Sequence, residues 1–130
     1  MPENKQFTIL VVDDERDLLA VIEGTLSAAG YNVMSAPTAH EALAVWTAQS
    51  KFIDLLLTDF NLETATGMEV ARVFWQTRPE LPVVFITGNA DTIERLSAEG
   101  LCYLRKPFSF EALPSFVNAQ LIKDRLTDQK

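Results

Sequence analysis

Five short apolar runs alternate along the chain with longer segments of helical periodicity, and this alternation limits the possible folds more than any single motif does. The runs are Phe7 to Val12, Tyr31 to Ala36, Ile53 to Thr58, Val83 to Thr87 and Leu101 to Leu104. Each is apolar at nearly every position, the pattern of strands covered on both faces in a parallel sheet. No Asn-Gly or Asp-Gly hairpin signal joins any two of them, so the connections are expected to be crossovers rather than tight turns.

The segments between the runs carry helix signals. Leu18, Leu19, Ile22 and Leu26 recur at helical spacing before Gly30, which predicts a first helix over Glu15 to Ala29 with Gly30 at its C-terminal cap. Thr38 precedes Glu41, Thr66 precedes Glu69 and Asp91 precedes Glu94 at the spacing of a capping box, which predicts that helices two, three and four begin there. A fifth helix follows Ser109, with Leu113, Phe116, Val117 and Leu121 on one face. Pro114 would break a helix capped at Ser109, so a short 3₁₀ turn is expected first, with Pro114 at the first position of the regular helix. Strand and helix thus alternate five times. The expected fold is α/β: a five-stranded parallel sheet of order 2-1-3-4-5, doubly wound and flavodoxin-like, flanked by five helices.

At 130 residues, 48% apolar and 22% charged, the chain has the size and composition of one globular domain, with its core expected from about residue 7 to 125 and no output domain. No apolar run approaches the roughly 20 residues that span a bilayer. The N-terminus lacks the basic flank and apolar stretch of a secretory signal, and Cys102 is the single cysteine, which fits a reducing cytoplasm. A net charge of −7 and a pI near 4.6 disfavour direct binding of nucleic acid.

In such sheets ligands bind outside the carboxyl ends of the strands. Strand one ends in Asp13-Asp14, strand three in Asp59, strand four in Thr87-Gly88 and strand five in Lys106-Pro107. Each has an ordinary reading alone: Asp14 as a helix cap, Thr87 as a strand end, Lys106 as a solvated charge. Together they place three carboxylates, a hydroxyl and an amine on one rim. Three carboxylates so close resist ionising unless a cation compensates, and an all-oxygen donor set points to Mg²⁺ rather than zinc. His40 stands alone on helix two, away from Cys102. A metal, an ammonium and a hydroxyl around a carboxylate are what phosphoryl transfer to that carboxylate requires.

Asp13-Asp14, Asp59, Gly67 eight positions further on, Thr87-Gly88 and Lys106-Pro107-Phe108 resemble the receiver domain of two-component response regulators, over about Phe7 to Arg125. The resemblance implies a cytoplasmic signalling switch rather than an enzyme with external substrates, catalysing only its own phosphotransfer and autodephosphorylation. Asp59 would accept phosphate from a sensor histidine kinase or phosphotransfer protein and pass the signal to a downstream protein target or output domain. Asp14 and Asp59, with the backbone carbonyl of Asn61, would hold Mg²⁺, and Asp13 would act through coordinated water. Thr87 would bond the phosphoryl group, and Lys106 would pair with it across a cis Lys106-Pro107 bond. Tyr103 matches the switch aromatic, and the face of Ile93, Leu96 and Tyr103 would be the surface that partners read. The family usually carries proline four residues past the acceptor, where this chain has Glu63, and Asn61 and Asn89 occupy the two positions that tune autodephosphorylation.

Three other readings fit less well. A haloacid-dehalogenase-like phosphatase would carry Asp-x-Asp after strand one, whereas Asp13 is followed two positions later by Glu15. A flavin or nucleotide module would need a glycine-rich phosphate loop, and all five glycines stand singly. A degenerate receiver that only docks partners would lack part of the acidic, threonine and lysine set. Trp46 and Trp75 read as packing residues.

Overall fold

The computed structural model describes residues 7–128. Its elements run β1 (Thr8–Val12), α1 (Arg16–Ala28), β2 (Asn32–Ala36), α2 (Ala39–Gln49), a 3₁₀ turn (Ser50–Phe52), β3 (Leu55–Asp59), α3 (Gly67–Thr77), β4 (Val83–Thr87), α4 (Ala90–Ala98), β5 (Cys102–Arg105) and α5 (Leu113–Asp128). All four strand pairings are parallel, and the order is β2-β1-β3-β4-β5. The five-stranded α/β architecture matches the expectation.

Alternation along the strands divides the core into two layers. Ile9, Val11, Leu55, Leu57, Val84 and Ile86 pack with Leu19, Ile22 and Leu26 of α1 and Leu113, Val117 and Leu121 of α5. Leu10, Val12, Leu56 and Phe85 face the other way, onto Trp46 of α2, Phe74 of α3 and Leu96 of α4. Every residue of β1, β3 and β4 is buried, which is why those runs carry so few polar positions. Burying each large aliphatic side chain contributes about 1.5–3 kcal/mol. Trp46 stacks on Phe74 at 4.1 Å, and Trp75 donates its indole N–H to the carbonyl of Leu81 at 2.9 Å, so both tryptophans are packing residues.

Several boundaries differ from the sequence reading. α1 is one residue shorter at each end, and β1, β2 and β5 each begin one residue later than expected. Gly30 does close α1, with φ 102° and its N–H on the carbonyl of Ser27 at 3.0 Å. Residues 50–52 are a 3₁₀ turn that no periodicity announced, and β3 starts at Leu55 rather than Ile53. Arg78 fixes this turn by donating to the carbonyls of Ser50 and Ile53. Thr66 and Glu69 form the full reciprocal capping box, but Glu41 binds the Thr38 hydroxyl rather than its backbone N–H. Asp91 does not cap α4. Asn89 does, accepting from the N–H of Thr92, and Asp91 lies inside the first turn. Before α5, the N–H groups of Ala112 and Leu113 bond back three residues to Ser109 and Phe110, and Pro114 then occupies the second helical position rather than the first. Leu96 is fully buried and therefore lies beneath the surface it was expected to help form.

Candidate functional site

The register of the sheet brings the polar strand ends to one edge. Val12 pairs with Thr58 and Asp59 with Ile86, so Asp13 follows β1 beside the end of β3. Thr87 pairs with Arg105, which leaves Lys106 just beyond. The peptide bond between Lys106 and Pro107 is cis.

Asp59 is 8% exposed, and both of its carboxylate oxygens are engaged. Oδ1 accepts from the N–H of Asn61 at 3.0 Å, and Oδ2 accepts from the ammonium of Lys106 at 3.0 Å. Burial opposes the Lys106 charge, but the hydrogen bond and charge of Asp59, with Asp13 and Glu15 adding, hold the ammonium above its usual range. Lys106 is therefore a fixed positive charge on the rim.

Asp13 is completely buried. Its Oδ1 accepts from the N–H of Glu15 at 2.8 Å, while its buried Oδ2 has no hydrogen-bond partner among the described residues. Burial pushes its carboxyl up to about 6; the Glu15 N–H and Lys106 oppose this, and the charges of Asp59 and Asp14 reinforce it. Asp14 is exposed. One oxygen each from Asp13, Asp14 and Asp59 lies within 4.8 Å of the others. An orphaned buried oxygen inside an all-oxygen cluster fits a hard divalent cation, which would supply the missing partner and offset the repulsion. Asn61, the fourth expected ligand, is exposed two residues beyond the end of β3.

The segment with Glu63 forms a small closed loop. Asn61 bridges Thr66, the N–H of Leu62 bonds the carbonyl of Ala65 at 3.0 Å, and Glu63 is exposed. Leu62 anchors this loop by its burial. Gly67 then brings α3 hard against the end of β3: its N–H donates to the carbonyl of Phe60 at 2.7 Å, and a Cβ here would lie 2.3 Å from the carbonyl oxygen of Asp59. The sequence marked Gly67 only by its spacing. That close approach is the physical reason for glycine.

Thr87 is 2% exposed, and its Oγ1 accepts from the N–H of Asn89 at 3.1 Å. Phe85 pairs in register with Tyr103, and both pack on the layer of α2, α3 and α4. Thr87, two residues after Phe85, shares that face with half-buried Tyr103. The sequence reading missed Asn89 as the residue joining Thr87 to α4. A usable signal existed, because a strand ending at Thr87 followed by a short strand-to-helix connection puts a cap residue at Asn89.

Comparison with known proteins agrees with this geometry. The response regulator receiver domain family matches residues 9–118. The chain is 34% identical over 125 residues to the response regulator MprA of Mycobacterium ulcerans, covering 94% of this chain and 53% of that protein. It is 31% identical over 127 residues to an uncharacterized transcriptional regulatory protein of Bacillus subtilis, YrkP, covering 95% of this chain and 53% of that one. The chain thus spans about half the length of these relatives. A response regulator receiver domain protein from Clostridium thermocellum superposes with a TM-score of 0.83 at 29% identity, covering 93% of this chain and 98% of the other. No helix among the described residues is long and apolar enough to cross a membrane. With its strand order, its polar rim and a family match over most of its length, the chain belongs to the response regulator receiver domains, the phosphorylation-dependent switches of two-component signalling.

Proposed function

We propose that Asp59 is the residue phosphorylated in this switch, and that a phosphohistidine on a sensor kinase or phosphotransfer protein is the donor. The observation that carries this reading is the pairing of Asp59 with Lys106 at 3.0 Å beside a buried carboxylate oxygen that lacks a partner. An oxygen of Asp59 attacks the phosphorus, the bond from phosphorus to the donor imidazole nitrogen breaks, and that nitrogen keeps the electron pair and takes up a proton. Lys106 neutralises one phosphoryl oxygen, and the Thr87 hydroxyl donates to another.

Asp13, Asp14 and Asp59, with the backbone carbonyl of Asn61, are the groups that would hold Mg²⁺, Asp13 acting through coordinated water. The bound ion would neutralise charge developing on the phosphoryl oxygens. Movement of Thr87 toward the phosphoryl group would free space on the sheet face it shares with Tyr103, and Tyr103 would turn inward to fill it. The surface around Ile93 and Tyr103 then changes shape for a downstream target or output domain. The relative YrkP is named a transcriptional regulatory protein, which suggests control of transcription as the output of the full-length protein.

Incubation with acetyl phosphate and Mg²⁺, followed by weighing of the intact protein, tests the reading. One phosphate adduct on the wild type and none on Asp59→Asn supports it. An adduct that forms at the same rate on Asp59→Asn contradicts it.

A further inference from the structure

Thr58 interrupts the apolar run of β3 one residue before Asp59, and it is 0% exposed. Its side chain follows Leu56 onto the face of α2, α3 and α4, and its partners in register are Val12 of β1 and Phe85 of β4. Valine would fill the same volume without burying a hydroxyl, and a buried hydroxyl is costly unless it finds a hydrogen-bond partner. Thr58 Oγ1 donates to the main-chain carbonyl of Asp59 at 3.0 Å. A buried side chain thus holds the backbone of the acceptor residue itself.

The Asp59 carbonyl stands where the sheet gives way to a loop. The ladder between β1 and β3 ends at Val12 and Thr58, one residue short of Asp59. α3 closes over the same carbonyl: a Cβ on Gly67 would lie 2.3 Å from its oxygen and 3.0 Å from the Thr58 methyl carbon. The peptide that carries this oxygen also carries the Phe60 N–H, which donates to the carbonyl of Ile86 at 2.9 Å. A peptide unit is planar, so Thr58 and Ile86 together fix the tilt of one rigid plate. The next N–H along, that of Asn61, holds Asp59 Oδ1 at 3.0 Å, while Lys106 holds Oδ2. We propose that Thr58 is a positioning residue for phosphoryl acceptance: its hydroxyl pins the 59–60 peptide, and through the Asn61 N–H that peptide aims the Asp59 carboxylate at the incoming phosphorus. The proposal rests on the reading of Asp59 as acceptor. The single hydroxyl proton of Thr58 is committed to the main chain, so Thr58 acts through the Asp59 backbone rather than on the phosphoryl group.

Valine keeps the shape of threonine and loses the hydroxyl, whereas serine keeps the hydroxyl and loses the methyl group. With acetyl phosphate and Mg²⁺, Thr58→Val should accept phosphate about fivefold more slowly, the equivalent of one hydrogen bond, and Thr58→Ser should stay within about twofold of wild type. A role confined to packing predicts the reverse order, because serine leaves a methyl-sized void and valine does not. A wild-type rate in Thr58→Val overturns the proposal, as does Thr58→Ser slowed as much as Thr58→Val. A second arm needs no phosphoryl chemistry. The carbonyl carbon resonance of Asp59 and the amide resonance of Asn61 should shift in Thr58→Val and stay near their wild-type positions in Thr58→Ser. Resonances unmoved in Thr58→Val overturn the proposal. A wild type that takes no phosphate at all refutes the acceptor reading instead, and the resonances still decide whether the hydroxyl holds the Asp59 backbone.

Discussion

Replacing Asp13 with asparagine should stabilise the metal-free protein, although Asp13 belongs to the site. The folded protein keeps this completely buried carboxyl protonated up to about 6, whereas its ordinary value is 3.8. Between these values the folded state binds more protons than the unfolded state, so stability falls as pH rises through that window and levels off above it. At about 1.36 kcal/mol per pH unit, the gap corresponds to about 3 kcal/mol. Asparagine has the same shape and cannot titrate. Its carbonyl can still accept from Glu15, while its amide group donates within a cluster otherwise made of carboxylates. Urea melts in chelator, taken from pH 4 to 7, should show the variant gaining on wild type by about 2 kcal/mol across the range, with most of the gain before pH 6.5. Saturating Mg²⁺ should erase much of that advantage by stabilising wild type through binding. A pH-independent difference, or a variant less stable than wild type in chelator at pH 7, would refute the reasoning.

The remaining expectations follow from the same geometry. Gly67→Ala drives a Cβ into the Asp59 carbonyl at 2.3 Å, so urea melts should show a loss of about 2 kcal/mol and phosphorylation should slow more than tenfold. Asp14→Ala should weaken stabilisation by Mg²⁺ in thermal melts while raising the melting temperature in chelator, because like charges are relieved. A phosphoryl mimic should shift the amide resonances of α4 and Tyr103 as well as those of the Asp59 pocket; shifts confined to the pocket would contradict the switch.

The architecture was legible because β1, β3 and β4 are buried on both faces and left unbroken apolar runs in the sequence. Gly30 was legible because a positive φ at a helix end favours glycine. The polar rim was legible for a related reason, since Asp13, Asp59 and Thr87 are polar groups at the ends of buried strands. What escaped were features decided by tertiary contacts. The 3₁₀ turn at Ser50–Phe52 is held by Arg78, just past the end of α3 and far along the chain, which no local pattern records. The cap of α4 fell to Asn89 rather than Asp91 because the strand ends at Thr87 and the helix follows at once. Leu96 was expected on the surface that partners read, yet the narrow contact of α4 with the sheet is made through it. The need for glycine at 67 depends on how close α3 comes to Asp59, a distance visible only in the folded chain.

The most direct test of the central claim locates the phosphate. Wild-type protein is phosphorylated with acetyl phosphate and Mg²⁺, reduced with borohydride to convert an aspartyl phosphate to homoserine, digested and sequenced by mass spectrometry. Homoserine at position 59, in the peptide containing Thr58 and Phe60, is the predicted result. Homoserine at Asp13 or Asp14, or a phosphate that resists borohydride and maps to a hydroxyl such as Thr87, would contradict the assignment of Asp59 as acceptor.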